Sequence, residues 1–303
     1  MSKSASINTS DIQVFDRQTL RQARRRSAKN TREHMFLFDW AEAQIAERLL
    51  DVNRDFETAL QIGMRNDGAA LLKTGKIKTL HTTDIIVEGA AAPSVVSDEE
   101  FLPFKPAAFD LIISALNLHS VNDLPGALLQ IRQSLKPDGL FVAAILGGET
   151  LHELRECLMQ SELALKDGVS PRVFPFADKQ QAGGLLQRAG FALPVIDSDI
   201  ITVTYPHMFK LMHDLRAMGE GNIIDARSKL NPGKALFMDA AQRYAQHYSA
   251  ADNRIEASFE VIFMLGWAPH ASQQKPLSPG SAKHRLADAL GGAEIKTGDK
   301  ATP

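Results

Sequence analysis

Of 303 residues only Cys157 is a cysteine, and tryptophan and tyrosine are scarce, at 2 and 3 residues. A single thiol excludes an internal disulfide framework and any zinc site built from several cysteines; a small packed thiol is the simpler reading. No apolar run approaches the roughly 20 residues a membrane-spanning helix requires, and no secretory-type apolar segment stands at the start. The chain is therefore expected in the cytoplasm, with peripheral association to a membrane complex, through a protein partner, left open.

What is present describes a packed globular protein. Hydrophobic residues make up 44% and charged residues 23%, with 14 prolines and 20 glycines, and the formal charge is only -2. That near-neutral total conceals a cluster near the start: Arg17, Arg21, Arg24, Arg25, Arg26, Lys29 and Arg32. Such a cluster could meet nucleic acid, acidic lipid or an acidic protein face. No aromatic-interleaved basic pattern follows to build a base-stacking platform, so it reads as a solvated helix and no nucleic-acid partner is expected.

Strand and helix signals alternate through the middle of the chain. Ala59–Ile62 reads as a strand ending at Gly63, Ala69–Leu72 as the start of a helix, a further strand precedes Asp84, and Phe109–Ser114 reads as a deeply buried strand. Asp123 is placed to cap a helix running to Leu135. Lys136-Pro137-Asp138-Gly139 should break it and deliver the strand Leu140–Ile145. Helices are expected over 150–166 and Lys179–Ala189, an edge strand near Ile200–Tyr205, a helix through Met212, and a late strand over Ala257–Leu265. This order predicts a doubly wound α/β sheet with helical additions. The division expected is a mobile start and basic helical preface over 1–32, one domain over 33–270 and a mostly flexible tail over 271–303, with at most a short helix around His284–Leu290.

In a doubly wound sheet, ligands bind outside the carboxyl ends of the strands. Gly63, Asp84 and Asp98 fall near such ends; one carboxylate suits two ribose hydroxyls and another a base amino group, the needs of an adenosyl ligand. Acidic residues also cap helices and face water, so spacing alone leaves both readings open.

Three stretches, Ser97–Phe104, Asn117–Pro125 and Leu135–Gly139, followed by Phe209–Asn222 and Met264–His270, carry a resemblance that spans roughly residues 12–290. The chain resembles the class I S-adenosylmethionine-dependent methyltransferases, a Rossmann-like fold. Within them it is similar to the mitochondrial complex I assembly factors of methyltransferase fold and their bacterial relatives. The resemblance implies S-adenosyl-L-methionine as cofactor, with Gly63 and Gly68 in its loop, Asp84 at the ribose and Asp98 near the adenine. Asn117 and His119 fall at the substrate rim. The family's Asp-Leu-Gly-Cys-Gly-x-Gly loop is altered here to Gln61-Ile62-Gly63-Met64-Arg65-Asn66-Asp67-Gly68. Gln61 removes an acid, and Arg65 brings bulk and like charge beside a sulfonium, making it a candidate inhibitory residue. Ser120 stands where the family usually has an aromatic residue. The resemblance further implies assembly of a quinone-linked respiratory complex and hydroxylation of an arginine in one of its subunits. Conventional methyl transfer and an inactive scaffold remain alternatives. The spacing of His207, His213 and Asp214 does not establish a metal site, and no metal is assigned.

Overall fold

The computed structural model describes residues 13–28, 32–88, 94–166 and 168–274, with Ser281, Asp288, Gly291 and Gly292 beyond them. One compact unit ends at Pro269 and a second begins at His270; the sheet and its covering helices lie in the first. Apart from Asp288, the short helix expected around His284–Leu290 lies outside the described residues.

The strands β1 (Phe56–Ile62), β2 (Ile77–Asp84), β3 (Val95–Val96), β4 (Phe109–Ala115), β5 (Leu135–Leu146), β6 (Ala192–Tyr205) and β7 (Ile255–Trp267) form one sheet in the order β3-β2-β1-β4-β5-β7-β6. The first five run parallel, and β7 is antiparallel to both β5 and β6. Strand order reverses between β1 and β4, so the crevice at their carboxyl ends is the ligand edge of the fold. β4 is buried along its whole length, as its mainly apolar run, broken only by Asp110 and Ser114, suits a strand covered on both faces.

Two faces of the sheet make two cores. On one, α2 (Phe36–Leu50), α5 (His152–Leu165), α7 (Met208–Ala217) and α8 (Lys234–His247) enclose Phe38, Ile45, Tyr244, Phe259 and Phe263. On the other, α4 (Leu124–Ser134) and α6 (Lys179–Arg188) cover Leu60, Phe141, Phe191 and Met264. Period-two alternation sends Phe259, Val261 and Phe263 of β7 to the first core and Ile262 and Met264 to the second. Cys157 is packed in the first core, where burial pushes its thiol up to about 11 and keeps it protonated at neutral pH.

Local chemistry explains several boundaries. Asp123 caps α4 by accepting from the Gly126 N–H at 2.9 Å, and Asp178 with Gln181 forms a capping box on α6. The Lys136–Gly139 break takes another form than expected. α4 ends at Ser134, Leu135 already pairs with Phe109, and the ladder slips before Leu111, with Asp138 at φ 62°. The turn residues form an irregularity inside β5 rather than a loop before it. Likewise α7 runs on to Ala217, past the expected end at Met212. β3 is too short and exposed to leave a sequence pattern.

The basic preface is the main correction. Arg17–Ser27 forms α1, with Asp16 as its cap, but the helix is not a solvated one: Leu20 and Arg24 are both buried, at 3% exposure. Phe15 and Leu20 join Ile85, Ile86, Phe174, Ile223 and Ile224 in a third, small apolar cluster at the carboxyl edge of the sheet. Phe15 bridges Ile224, and the Asp16 N–H reaches the Ile223 carbonyl at 2.8 Å. No helix among the described residues is long and apolar enough to cross a membrane.

Candidate functional site

β1 delivers Gly63 to the crevice at φ 76°, where its N–H donates to the Thr83 carbonyl at 2.8 Å. That left-handed turn favours glycine, and a Cβ there would collide with the side chain of Asn117, which arrives from the end of β4. Gly68, at φ 70°, sits further along the loop as the residue before α3 (Ala69–Lys73). Asp84 ends β2 and is 4% exposed. Gly63, Asp84 and Asn117 thus meet at one edge of the sheet.

A fourth member is Glu99 rather than its neighbour Asp98. Glu99 is 2% exposed and accepts from Asn117 Nδ2 at 2.7 Å. Asp98 sits outside it, engaged by Arg17 and, at 3.1 Å, by Arg21. Sequence reasoning placed Asp98 by the ligand and overlooked Glu99; the neighbouring acid in the same Asp-Glu-Glu run was the available signal.

The crevice is filled by the protein's own arginines. Arg24 of α1 donates to Asn117 Oδ1 and approaches Asp84 Oδ2 at 3.5 Å and Glu99 Oε1 at 3.9 Å. Arg17, on the same face two turns earlier, pairs with Glu99 and Asp98. Burial pushes the Glu99 carboxyl up, yet the charges of Arg24 and Arg17 and the Asn117 hydrogen bond outweigh it and hold the group below its usual range. Asp84 goes the other way, because burial and the like charge of Glu99 exceed what the longer contact with Arg24 returns.

Arg65 points neither to solvent nor into an open pocket. It lies over the Phe38 ring, 4.2 Å from the centroid, donates to the Met218 carbonyl, and pairs with Glu220 Oε1 at 3.1 Å. Burial and the neighbouring Arg24 charge lower its pKa to about 10, so it stays charged at neutral pH. The other oxygen of Glu220 meets His119 Nε2 at 3.1 Å. Burial raises this carboxyl, but the His119 hydrogen bond and the charges of His119, Arg65 and Arg24 bring it down to about 2. The aromatic wall missing at Ser120 is supplied from the segment between α5 and α6: the Phe174 and Phe176 rings lie 6.4 and 5.9 Å from the His119 ring. The acid lost at Gln61 has a neighbour too, for Gln61 Nε2 lies 3.5 Å from Glu42 Oε2, a carboxyl raised by burial.

A mainly apolar cavity of ≈ 200 Å³ adjoins this cluster, lined by Leu146, Phe174, Phe176 and Phe259 among others, with Arg172, Arg216, Glu220 and Asn222 as polar members. His207 belongs to neither feature; it caps α7, accepting from the Lys210 N–H at 3.2 Å. His34 takes its place beside His213 and Asp214: the two histidine Nδ1 atoms lie 3.1 and 3.5 Å from Asp214 Oδ1. That oxygen already holds the Lys210 ammonium at 2.7 Å.

The cofactor expected of the fold can be tested against these residues. S-adenosyl-L-methionine needs a free carboxylate for its ribose and backbone access beside the glycine loop. Here Arg24 lies on Asp84, Asn117 lies against Gly63, and Arg24 and Arg65 both oppose a sulfonium. In this arrangement the residues do not fit an adenosyl group. Within the same network Arg24 Nε, Gln61 Oε1, Asn66 Oδ1 and His119 Nδ1 are buried without a hydrogen-bond partner among the described residues.

Comparison with known proteins agrees with the fold and narrows the relationship. Residues 73–143 match the family model described as a methyltransferase domain. The chain is 39% identical to "Arginine-hydroxylase NDUFAF5, mitochondrial" of Danio rerio, across 91% of this chain and 89% of that protein. It is 38% identical to the Homo sapiens protein of the same name, across 93% and 85%. Among solved structures, the YcgJ protein from Bacillus subtilis superposes with a TM-score of 0.52 at 13% identity, covering 76% of this chain and 99% of that one, a likeness of fold alone.

Proposed function

This chain belongs to the arginine-hydroxylase NDUFAF5 family, and from that premise we propose that it acts in assembling a quinone-linked respiratory NADH dehydrogenase complex, recognising one subunit and modifying an arginine on it. The observation that carries this reading is the near end-to-end match at 39% identity, which extends far beyond the 73–143 segment common to methyltransferase domains. Fold alone would have favoured methyl transfer, but a fold does not set chemistry. The crevice supports the departure: its acids are committed to guanidinium groups, and the cofactor loop carries Arg65 where close backbone approach is needed.

The residues proposed for the reacting centre are Asp84, Glu99, Asn117, His119 and Glu220, with Gly63 and Gly68 shaping the loop and Asp98 at its rim. His119 borders the charged crevice, and its ring lies against Phe174 and Phe176, which line the apolar cavity; an imidazole there can orient a substrate or, when neutral, accept a proton. Glu220 steers it through Nε2. A second reading rests on the same network: side chains that saturate one another describe a protein retained for contact, an assembly scaffold without turnover. Location in the cytoplasm, with peripheral association to the membrane complex through the partner, belongs to the proposal as well.

The experiment joins the purified chain to the candidate subunit under assembly-competent conditions, in air with a reductant and with or without added S-adenosyl-L-methionine as methyl donor, and follows association and the subunit's intact mass. A gain of one oxygen on an arginine establishes hydroxylation, whereas one methylene assigns methyl transfer. Association without a mass change selects the scaffold. Neither association nor modification overturns the function proposed.

A further inference from the structure

The acids of the crevice are met from one side by one helix. Arg17 reaches Asp98 and Glu99, Arg21 reaches Asp98, Arg24 lies among Asp84, Glu99 and Asn117, and Arg25 stands 3.5 Å from Glu88. We propose that α1 is a plug acting in cis: with Arg24 seated on Asp84 and Asn117, the crevice admits an adenosyl compound only after α1 lifts, so α1 docking and adenosyl binding exclude each other. This rests on the methyltransferase-type reading of the crevice and not on the identity of the protein substrate.

Three observations carry it. The seat is occupied where the fold puts a ribose: Arg24 is 3% exposed beside Asp84, and Asn117 closes the approach over Gly63. The plug is separable, because the apolar cluster that anchors α1 is distinct from the two cores on the sheet faces. Its ties beyond the ion pairs are the Phe15–Ile224 bridge, the Asp16–Ile223 and Asp225–Val14 hydrogen bonds, Asn122 on Val14 and Phe15, Arg17 on the Ser120 carbonyl at 3.1 Å, and Arg227 on Asp16 and Thr19 at 3.2 and 3.0 Å. An element held this way can open well below the free energy of global unfolding. Finally, the plugged state is imperfectly satisfied. Arg24 Nε, Gln61 Oε1 and His119 Nδ1 are buried without partners among the described residues, and each such atom costs about 1–3 kcal/mol. That cost favours an arrangement in which a ligand replaces Arg24.

The plug also bears on the other half of the site. The segment that ties α1 down, Ile223–Arg227, begins three residues after Glu220, which holds both Arg65 and His119. Lifting α1 therefore removes Arg24 from the crevice and frees a segment close in the chain to the carboxylate that holds Arg65.

The test titrates S-adenosylhomocysteine, which lacks the sulfonium charge and so reports the plug rather than repulsion by Arg65, into the whole chain, Arg24→Gln and Arg227→Ala. Calorimetry measures affinity, circular dichroism checks folding, and hydrogen exchange follows residues 17–27. The native chain should bind weakly, and Arg24→Gln about tenfold or more tightly, because a ligand's apparent affinity scales with the fraction of open molecules. Arg227→Ala leaves the cage intact but unties Asp16 and Thr19, and should tighten binding by a few fold, about as far as it raises that open fraction. Exchange in α1 should rise when ligand binds. Weaker binding by Arg24→Gln, slower exchange in α1 on binding, or no binding by any of the three folded proteins overturns the proposal. Association with the respiratory subunit, measured on the same samples, stands or falls separately.

Discussion

The crevice at the ends of β1, β2 and β4 and the cavity beneath α5, α7 and α8 share a wall at Met218 and Glu220, yet they solve the problem of an unfilled site in opposite ways. The crevice is polar, and its own arginines fill it. The cavity is apolar and keeps ≈ 200 Å³ of open space. Buried charges without partners cost several kcal/mol each, so a charged site must close on itself when no ligand is there, whereas an apolar one can remain open at a smaller cost. The polar half is consequently the one whose ligand must compete with the protein.

The strongest way to break this comparison is to remove Glu220, which serves both halves. Glu220→Ala leaves the Arg65 guanidinium buried without its carboxylate, and should cost about 3–5 kcal/mol in urea unfolding. A loss below about 1 kcal/mol, the worth of an exposed pair, would mean that charge pairing does not hold the crevice.

Acid separates the buried carboxyls next. Folding lowers the Glu220 carboxyl from 4.5 to about 2, so its stabilisation is present above 4.5 and is lost as pH falls toward 2. Folding raises Asp84 above 3.8, so its ionisation lowers stability as pH rises through that value. Glu220→Gln should flatten the decline in stability on acidification, and Asp84→Asn should steepen it. Unfolding midpoints measured across this window decide both signs.

The cavity offers a smaller effect. Leu158 lines it and is 4% exposed. Overpacking a filled core costs about 1–3 kcal/mol, but Leu158→Phe has room to enter and should cost less than about 1 kcal/mol. A larger loss by thermal or urea unfolding would show the cavity to be less accommodating than its volume. Smallest of all should be Arg25→Ala on α1. Its partner Glu88 is 3.5 Å away and the two side chains are 59% and 47% exposed, so stability should change by only about 0–1 kcal/mol in the same unfolding assay.

The sheet was legible in the sequence because its signals are local. The buried run at Phe109–Ala115, the Asp123 cap and the alternation along β7 each depend on neighbours in the chain. The crevice was only partly legible. Gly63 and Asp84 follow from strand ends and Asn117 from the family resemblance, but Arg24 meets Asn117 across 93 positions, and Arg65 meets Glu220 across 155. A cluster of arginines looks the same whether water or carboxylates receive it; what distinguishes α1 is that Leu20 and Arg24, four apart, turn inward together. The NDUFAF5 relationship was legible in the late stretches at Phe209–Asn222 and Met264–His270, outside the 73–143 methyltransferase match.

β6 ends the sheet, pairing with β7 alone across 192–205, and it carries Leu193, Val195 and Ile200 exposed. A long apolar border of this kind invites the strand of another molecule. Asp197 and Asp199 interrupt it, and Arg48 reaches them at 2.9 and 3.8 Å from α2 while lying over the Phe263 ring. The same guanidinium therefore packs the interior and fixes charge on the border. Replacing both aspartates with asparagine would keep the ladder to β7 and lower the barrier to self-association, so concentrated samples should begin to clump along this strand before the fold itself gives way.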